Sequence, residues 1–250
     1  MTTIGRLRRL SASALLAGFL TGLCLRAEEG APPEAQAPKT AGLEIDVKKL
    51  EVRADATVCL DAGILEYLAC LPDTFEHEAL FRVRCKPSEL HLGLLLIGLK
   101  PCPIDPLGLW RRKARDTSRS RVRIEVEYEQ EGKKQRLGLS RLLVNRRQRS
   151  AAVPDAWVFT GSFFGRRGDR RVYAADVAGG VIGLGQDDAS VLQLGEDLGN
   201  PYQGDEQGLE VDTNTVPAKG TPVQLIVTPH RPEAREKPEP GAAGAEIPPG

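Results

Sequence analysis

The sequence predicts an α+β domain, built mainly from short antiparallel strands with one buried leucine-rich helix over about residues 87–100. Three observations carry this expectation. Apolar and polar residues alternate in several segments, which is the period of a half-buried strand. Breaks such as Asp61-Ala62-Gly63 and Pro72-Asp73-Thr74 divide those segments into short lengths. A single segment, PSELHLGLLLIGLK at 87–100, carries leucines around most of a helical circumference.

Taken in order, Val52, Ala54, Ala56, Val58 and Leu60 share one strand face, with Arg53, Asp55, Thr57 and Cys59 on the other. Residues 64–71 fit a strand or a helix equally well. Alternation resumes with His77, Ala79, Phe81, Val83 and Cys85 on one face. In the helix, Pro87 suits the first turn, Lys86 or Ser88 the cap, and Glu89 the positive end of the dipole. Pro101 and Pro103 stop it. Val122, Ile124, Val126 and Tyr128 alternate with Arg123, Glu125, Glu127 and Glu129, and Gly132 turns the chain into a returning strand through Leu137 and Leu139. Further short strands are expected at 157–164, 172–177, 181–182, 191–194 and 223–227.

Composition sets the domain limits. Arg6, Arg8 and Arg9 precede sixteen uncharged residues, 10–25, and Arg26 and Ala27 follow. This is the layout of a secretory signal, and the run is shorter than the roughly 20 apolar residues that usually span a bilayer. Residues 1–27 are therefore read as a signal peptide, which places the protein in the periplasm or outside the cell. Residues 28–42 and 231–250 are poor in large apolar side chains and rich in Pro, Ala and Gly, so a disordered linker and tail are expected there. The domain lies at 43–230. The chain is neutral, with 34 basic and 34 acidic residues, and losing the four basic residues of the signal leaves 30 against 34. Such a balance gives no global attraction to nucleic acid, and none is expected as a partner. An uncleaved signal would give transient membrane association.

Residues 58–101 carry a particular series of landmarks: Gly63 with Leu65-Glu66, then Glu76-His77-Glu78, then Pro87 with His91 on the leucine-rich helix. With WVFTGSFF at 157–164 and VPAKGTPVQLIVTP at 216–229, the chain resembles the YdjY domain family of bacterial envelope proteins over most of 50–229. The resemblance implies an exported domain with no assigned activity. A ferredoxin-like label attached to the family brings an iron–sulfur reading with it. The arginine-rich connection after Trp110 lies outside the family pattern.

Cysteine spacing argues against that cluster. Cys59, Cys70, Cys85 and Cys102 are separated by 10, 14 and 16 residues, with no C-x-x-C pair. A straight fourteen-residue helix holds its ends roughly 21 Å apart. A disulfide needs Cα atoms within about 7 Å, which excludes Cys85–Cys102 across such a helix. A zinc-protease motif fails because Phe81 stands where the second histidine of H-E-x-x-H would fall. One metal arrangement survives. If 64–70 and 77–85 pair antiparallel around the 71–76 loop, Cys70 meets His77, and the helix could add His91, with Cys59 or Glu66 nearby. A thiolate with two imidazoles suits zinc or copper. The competing reading has both histidines hydrogen-bonded in or beside the core and the cysteines as buried hydrophobes or bridges, with no cofactor.

Residues 111–149 contain fourteen Lys/Arg against five Asp/Glu. Arg111, Arg112, Lys113 and Arg115 are candidate polyanion ligands; the same charges also suit the solvated outer face of a sheet. No nucleophile elbow or triad is found. The sequence thus reads as an exported, non-enzymatic binding or assembly module for an envelope ligand or protein. A Cys/His metal or redox protein and a polyanion binder are the alternatives.

Overall fold

The computed structural model describes residues 40–102, 118–149, 155–185, 187–196, 198–199 and 207–230. In β2 (Glu51–Val58), Val52, Ala54, Ala56 and Val58 are buried while Arg53, Asp55 and Thr57 are half-buried on the other face. β15 (Pro222–Pro229) pairs antiparallel with β2, and β6 (Arg121–Gln130) pairs antiparallel with β15. The register lines up apolar side chains in rows: Val52–Val227–Ile124, Ala54–Leu225–Val126 and Ala56–Val223–Tyr128. Because strand neighbours share a face, one buried row enforces the next.

The ring continues from β6 through β9 (Trp157–Phe159), β13 (Leu192–Leu194), β12 (Gly180–Gly183), β4 (Tyr67–Cys70) and β5 (Ala79–Val83). β5 then pairs back onto β2 through Ala56↔Val83, Thr57↔Arg82 and Val58↔Phe81, which closes an eight-stranded barrel. Only β12–β13 and β4–β5 run parallel. Full closure leaves no unpaired edge within the ring, and eight strands enclose just enough space for side chains to fill. Phe81, Trp157 and Phe159 are fully buried. Each such side chain contributes about 2–3 kcal/mol by leaving water.

Smaller elements decorate the ring. β1 (Leu43–Asp46) extends β2, and β7 (Lys133–Gly138) extends β6. The β6–β7 turn places Glu131 and Gly132 at φ 52° and 73°, the paired left-handed conformation of a tight hairpin. β3 (Ile64–Leu65), β14 (Leu209–Val211) and β8 (Leu143–Asn145) form a separate three-stranded sheet. β10 (Phe164–Arg167) and β11 (Arg170–Tyr173) form a two-stranded hairpin outside the barrel.

The α+β expectation is overturned. The fold is mainly β, a closed barrel with two short α-helices, α1 (Pro87–Leu96) and α2 (Ala174–Ala178). The leucine-rich segment packs one face on Ile45 and Val52 and leaves the other exposed, so it is not a buried layer. The helix expected over 87–100 ends at Leu96, capped by Ile97 and followed by Gly98 at φ 88°. Its buried positions are Pro87, Leu90, Gly93 and Leu94, whereas Leu92, Leu95 and Leu96 are exposed. Gly93 is what lets it sit close: a Cβ there would stand 3.2 Å from Ile45 Cδ1 and 3.3 Å from Val52 Cγ1. Two expected strands also change. The one at 172–177 stops at Tyr173 and becomes α2, and the one at 157–164 divides into β9 and the start of β10. The undecided segment 64–71 is extended, as β3 and β4.

Candidate functional site

The thiols come first. Cys59 follows β2, with its N–H donating to Leu80 O of β5 at 2.8 Å, while Cys70 lies on the far side of β5, opposite Arg82. Both are buried. Cys59 Sγ makes a long hydrogen bond to Thr57 O at 3.8 Å. Interaction between the two thiols holds Cys70 below its usual value, helped by the Thr74 hydroxyl and the Phe75 N–H, and pushes Cys59 up, with burial adding to the rise. Cys85 is buried and pushed up to about 12 by desolvation. Cys102 is half-buried, and its N–H donates to Phe159 O at 2.9 Å. All four are thiols.

The antiparallel hairpin expected to bring Cys70 to His77 is not formed, because β4 and β5 run parallel. His77 stands instead on the exposed 71–78 connection, its Nε2 3.7 Å from Glu78 Oε1. His91 takes another direction, into aromatic packing on Phe159 and Tyr173. Of the four residues, Cys59 and Cys70 lie on either side of β5, His77 is exposed, and His91 packs on aromatic rings. Among the described residues no group of three or more His, Cys, Asp or Glu is placed to hold a metal ion. Arg111, Arg112, Lys113 and Arg115 lie outside the described residues.

A different constellation forms around His91. Its ring meets Phe159 at 4.9 Å and Tyr173 at 5.5 Å between centroids, and Tyr173 meets Phe164 at 5.4 Å, all edge to face. Burial holds His91 below its ordinary value, which keeps the ring neutral and lets Nδ1 accept the Tyr173 hydroxyl proton at 2.6 Å. The Tyr173 oxygen in turn accepts the Ser162 N–H at 3.0 Å, and burial raises that hydroxyl to about 12. Ser162 Oγ accepts the Ala175 N–H at 3.1 Å, and Asp176 of α2 accepts the Ser88 N–H at the start of α1 at 2.8 Å. Hydrogen bonds and ring contacts thereby fasten α1, α2 and the β10–β11 hairpin to one another.

This fastened unit presents an unusual surface. Leu92, Leu95 and Leu96 of α1, Val177 of α2, and Phe163 and Phe164 make up six of the eight large apolar side chains exposed among the described residues. Leu95 lies one turn from His91, on the side of α1 that faces Tyr173. Beside them the hairpin exposes Arg166, Arg167, Arg170 and Arg171. The sequence contained the signal, as two phenylalanines followed by Arg-Arg-Gly-Asp-Arg-Arg within three residues. A reading that assigned 157–164 to a strand had no reason to set those residues beside the leucines.

The architecture is that of a mainly β barrel domain that also carries two short helices and a separate two-stranded hairpin. By sequence the chain belongs to the YdjY domain family, whose model matches residues 43–228. That span takes in every strand and helix described above except the last residue of β15. Neither a curated protein nor a solved structure matches the chain.

Proposed function

We propose that this protein is an exported, non-enzymatic binding module of the bacterial envelope, in which the barrel is a rigid scaffold and the α1–α2–hairpin unit is the recognition surface. The observation that supports this reading is the gathering of six exposed large apolar side chains on three mutually fastened elements. Single exposed apolar residues are ordinary, whereas several carried on elements that hydrogen-bond to one another supply the material of an interaction site. Fractionation of cells expressing the full chain tests it. Wild type is expected in the envelope fraction, and Leu92→Ser/Leu96→Ser/Phe164→Ser is expected to shift into the soluble fraction with an unchanged melting temperature. Unchanged partitioning of the variant would remove the surface from the function.

A second reading, soft-metal or redox handling, is favoured by one observation, the two buried free thiols Cys59 and Cys70 on either side of β5. Zinc or copper(I) titration of the reduced protein decides it. Stoichiometric binding that disappears in both Cys59→Ser and Cys70→Ser supports the reading; no binding, or binding that survives, eliminates it.

A further inference from the structure

The β10–β11 hairpin contains an arrangement that its own stability does not explain. Its register sets Arg166 opposite Arg171 and Arg167 opposite Arg170. Like charges directly opposed on a two-stranded ribbon are destabilising. A structural arginine would have a carboxylate partner, as Arg136 does with Glu125 at 2.7 Å on the neighbouring β6–β7 ribbon. Among the described residues none of the four hairpin arginines takes part in an ion pair; Arg171 lies over the Phe164 ring at 4.3 Å, a cation–π contact. All four guanidinium groups are exposed, and Asp169 is the lone acid between them.

We propose that the arginine hairpin and the adjoining apolar side chains dock on an anionic phospholipid bilayer. The inference rests on the recognition-surface reading above and names its partner. The argument is complementarity in two respects at once. Arg166 and Arg171 share the ribbon face of Phe164 and Tyr173, and this opposed pair, free of ion pairs, calls for closely spaced anions, which phosphate-bearing headgroups supply at high density. Phe163 and Phe164 precede those arginines in the chain, and the exposed leucines of α1 adjoin through the His91–Tyr173–Phe164 contacts. A soluble polyanion would pair with the arginines and leave the phenyl and leucyl groups in water. A bilayer interface takes both, with the cations at the headgroups and the apolar side chains at the acyl boundary. The surface is also firm. The Tyr173, Ser162 and Asp176 hydrogen bonds hold hairpin and helices together, so docking orders few new side chains.

The test is co-sedimentation of the full chain with vesicles of phosphatidylcholine alone or with one-third phosphatidylglycerol, beside heparin–agarose retention. Two variants accompany wild type: Arg166→Glu/Arg171→Glu and Phe163→Ser/Phe164→Ser, each checked for an unchanged melting curve. Wild type is expected to bind the anionic vesicles, to release at high salt, and to bind neutral vesicles at least tenfold more weakly. Each variant is expected to lose about tenfold or more on anionic vesicles. Binding that both variants retain would assign the membrane contact to another part of the chain and overturn the proposal. Heparin retention without vesicle binding would overturn it in favour of a polymeric anion. If anionic vesicles do not bind while the leucine and phenylalanine variant still leaves the envelope fraction, the bilayer fails as the partner and the recognition surface stands for a protein.

Discussion

Replacing Gly179 with alanine is expected to destabilise the domain by about 2–4 kcal/mol, and the structure divides that figure into two parts. Gly179 ends α2 at φ 93°, and its carbonyl accepts the Leu71 N–H at 2.8 Å, which docks the end of β4. Holding an L-residue in that left-handed conformation costs roughly 1–2 kcal/mol. The rest is steric. A Cβ at this position stands 2.5 Å from Thr74 Cγ2 and 2.7 Å from its Cβ. Thr74 is not free to turn away, because its hydroxyl donates to Leu71 O at 2.7 Å. Gly132 supplies the control: φ is 73° and nothing lies within 4 Å of a Cβ there, so Gly132→Ala isolates the conformational part at about 1 kcal/mol. Urea denaturation followed by tryptophan fluorescence measures both, and Trp157, fully buried, is a reporter of the barrel. The decisive comparison adds Thr74→Gly, which removes the opposing atoms and should recover most of the steric part in the double variant. If Gly179→Ala costs no more than Gly132→Ala, or Thr74→Gly rescues nothing, the packing of α2 against the 71–78 connection is not as described.

Three further outcomes follow from the same geometry. Burial depresses the His91 pKa, so the folded state binds that proton less readily than the unfolded chain. Stability should therefore fall as pH drops from the unfolded value of about 6.5 through the lower folded value, then level off; chemical denaturation across that window, with His91→Gln expected to flatten the slope, checks it. Cys59 and Cys70 flank β5 on opposite sides, set against Leu80 and Arg82, and both are free thiols. Both should remain thiols in protein purified under oxidising conditions, and a Cys59–Cys70 cross-linked peptide in a non-reducing digest would contradict the register. Phe81→Ala opens the interior at the β2–β5 seam and should cost about 3–5 kcal/mol by thermal or urea unfolding.

The strands were largely legible in the sequence because burial on one face writes itself as alternation. Val52 to Val58, Val122 to Tyr128 and the returning segment through Leu137 follow that rule. Closure was not legible. Nothing local tells Val58 that its partner is Phe81, or that β15 inserts between β2 and β6. Without closure, a run of leucines at 87–100 looked like a layer to be buried, whereas only one face of the helix packs and Leu92, Leu95 and Leu96 are exposed. The metal arrangement misplaced its residues for a related reason. It required β4 and β5 to be a hairpin, and the eight residues that separate them instead carry the chain back to start β5 parallel. The arginines opposite one another in the β10–β11 hairpin were visible only as composition. Register turned them into an arrangement.

The position of β15 also governs when the protein can become itself. The eightfold ring has a gap between β2 and β6 until the C-terminal strand arrives, and Gln224 then bonds to Asp55 across 169 residues of chain. A polypeptide delivered amino end first, whether from a ribosome or through a translocation pore, must therefore travel nearly its whole length with two adhesive margins unguarded. The final strand acts as a keystone, and until it drops into place those margins are open to mispairing.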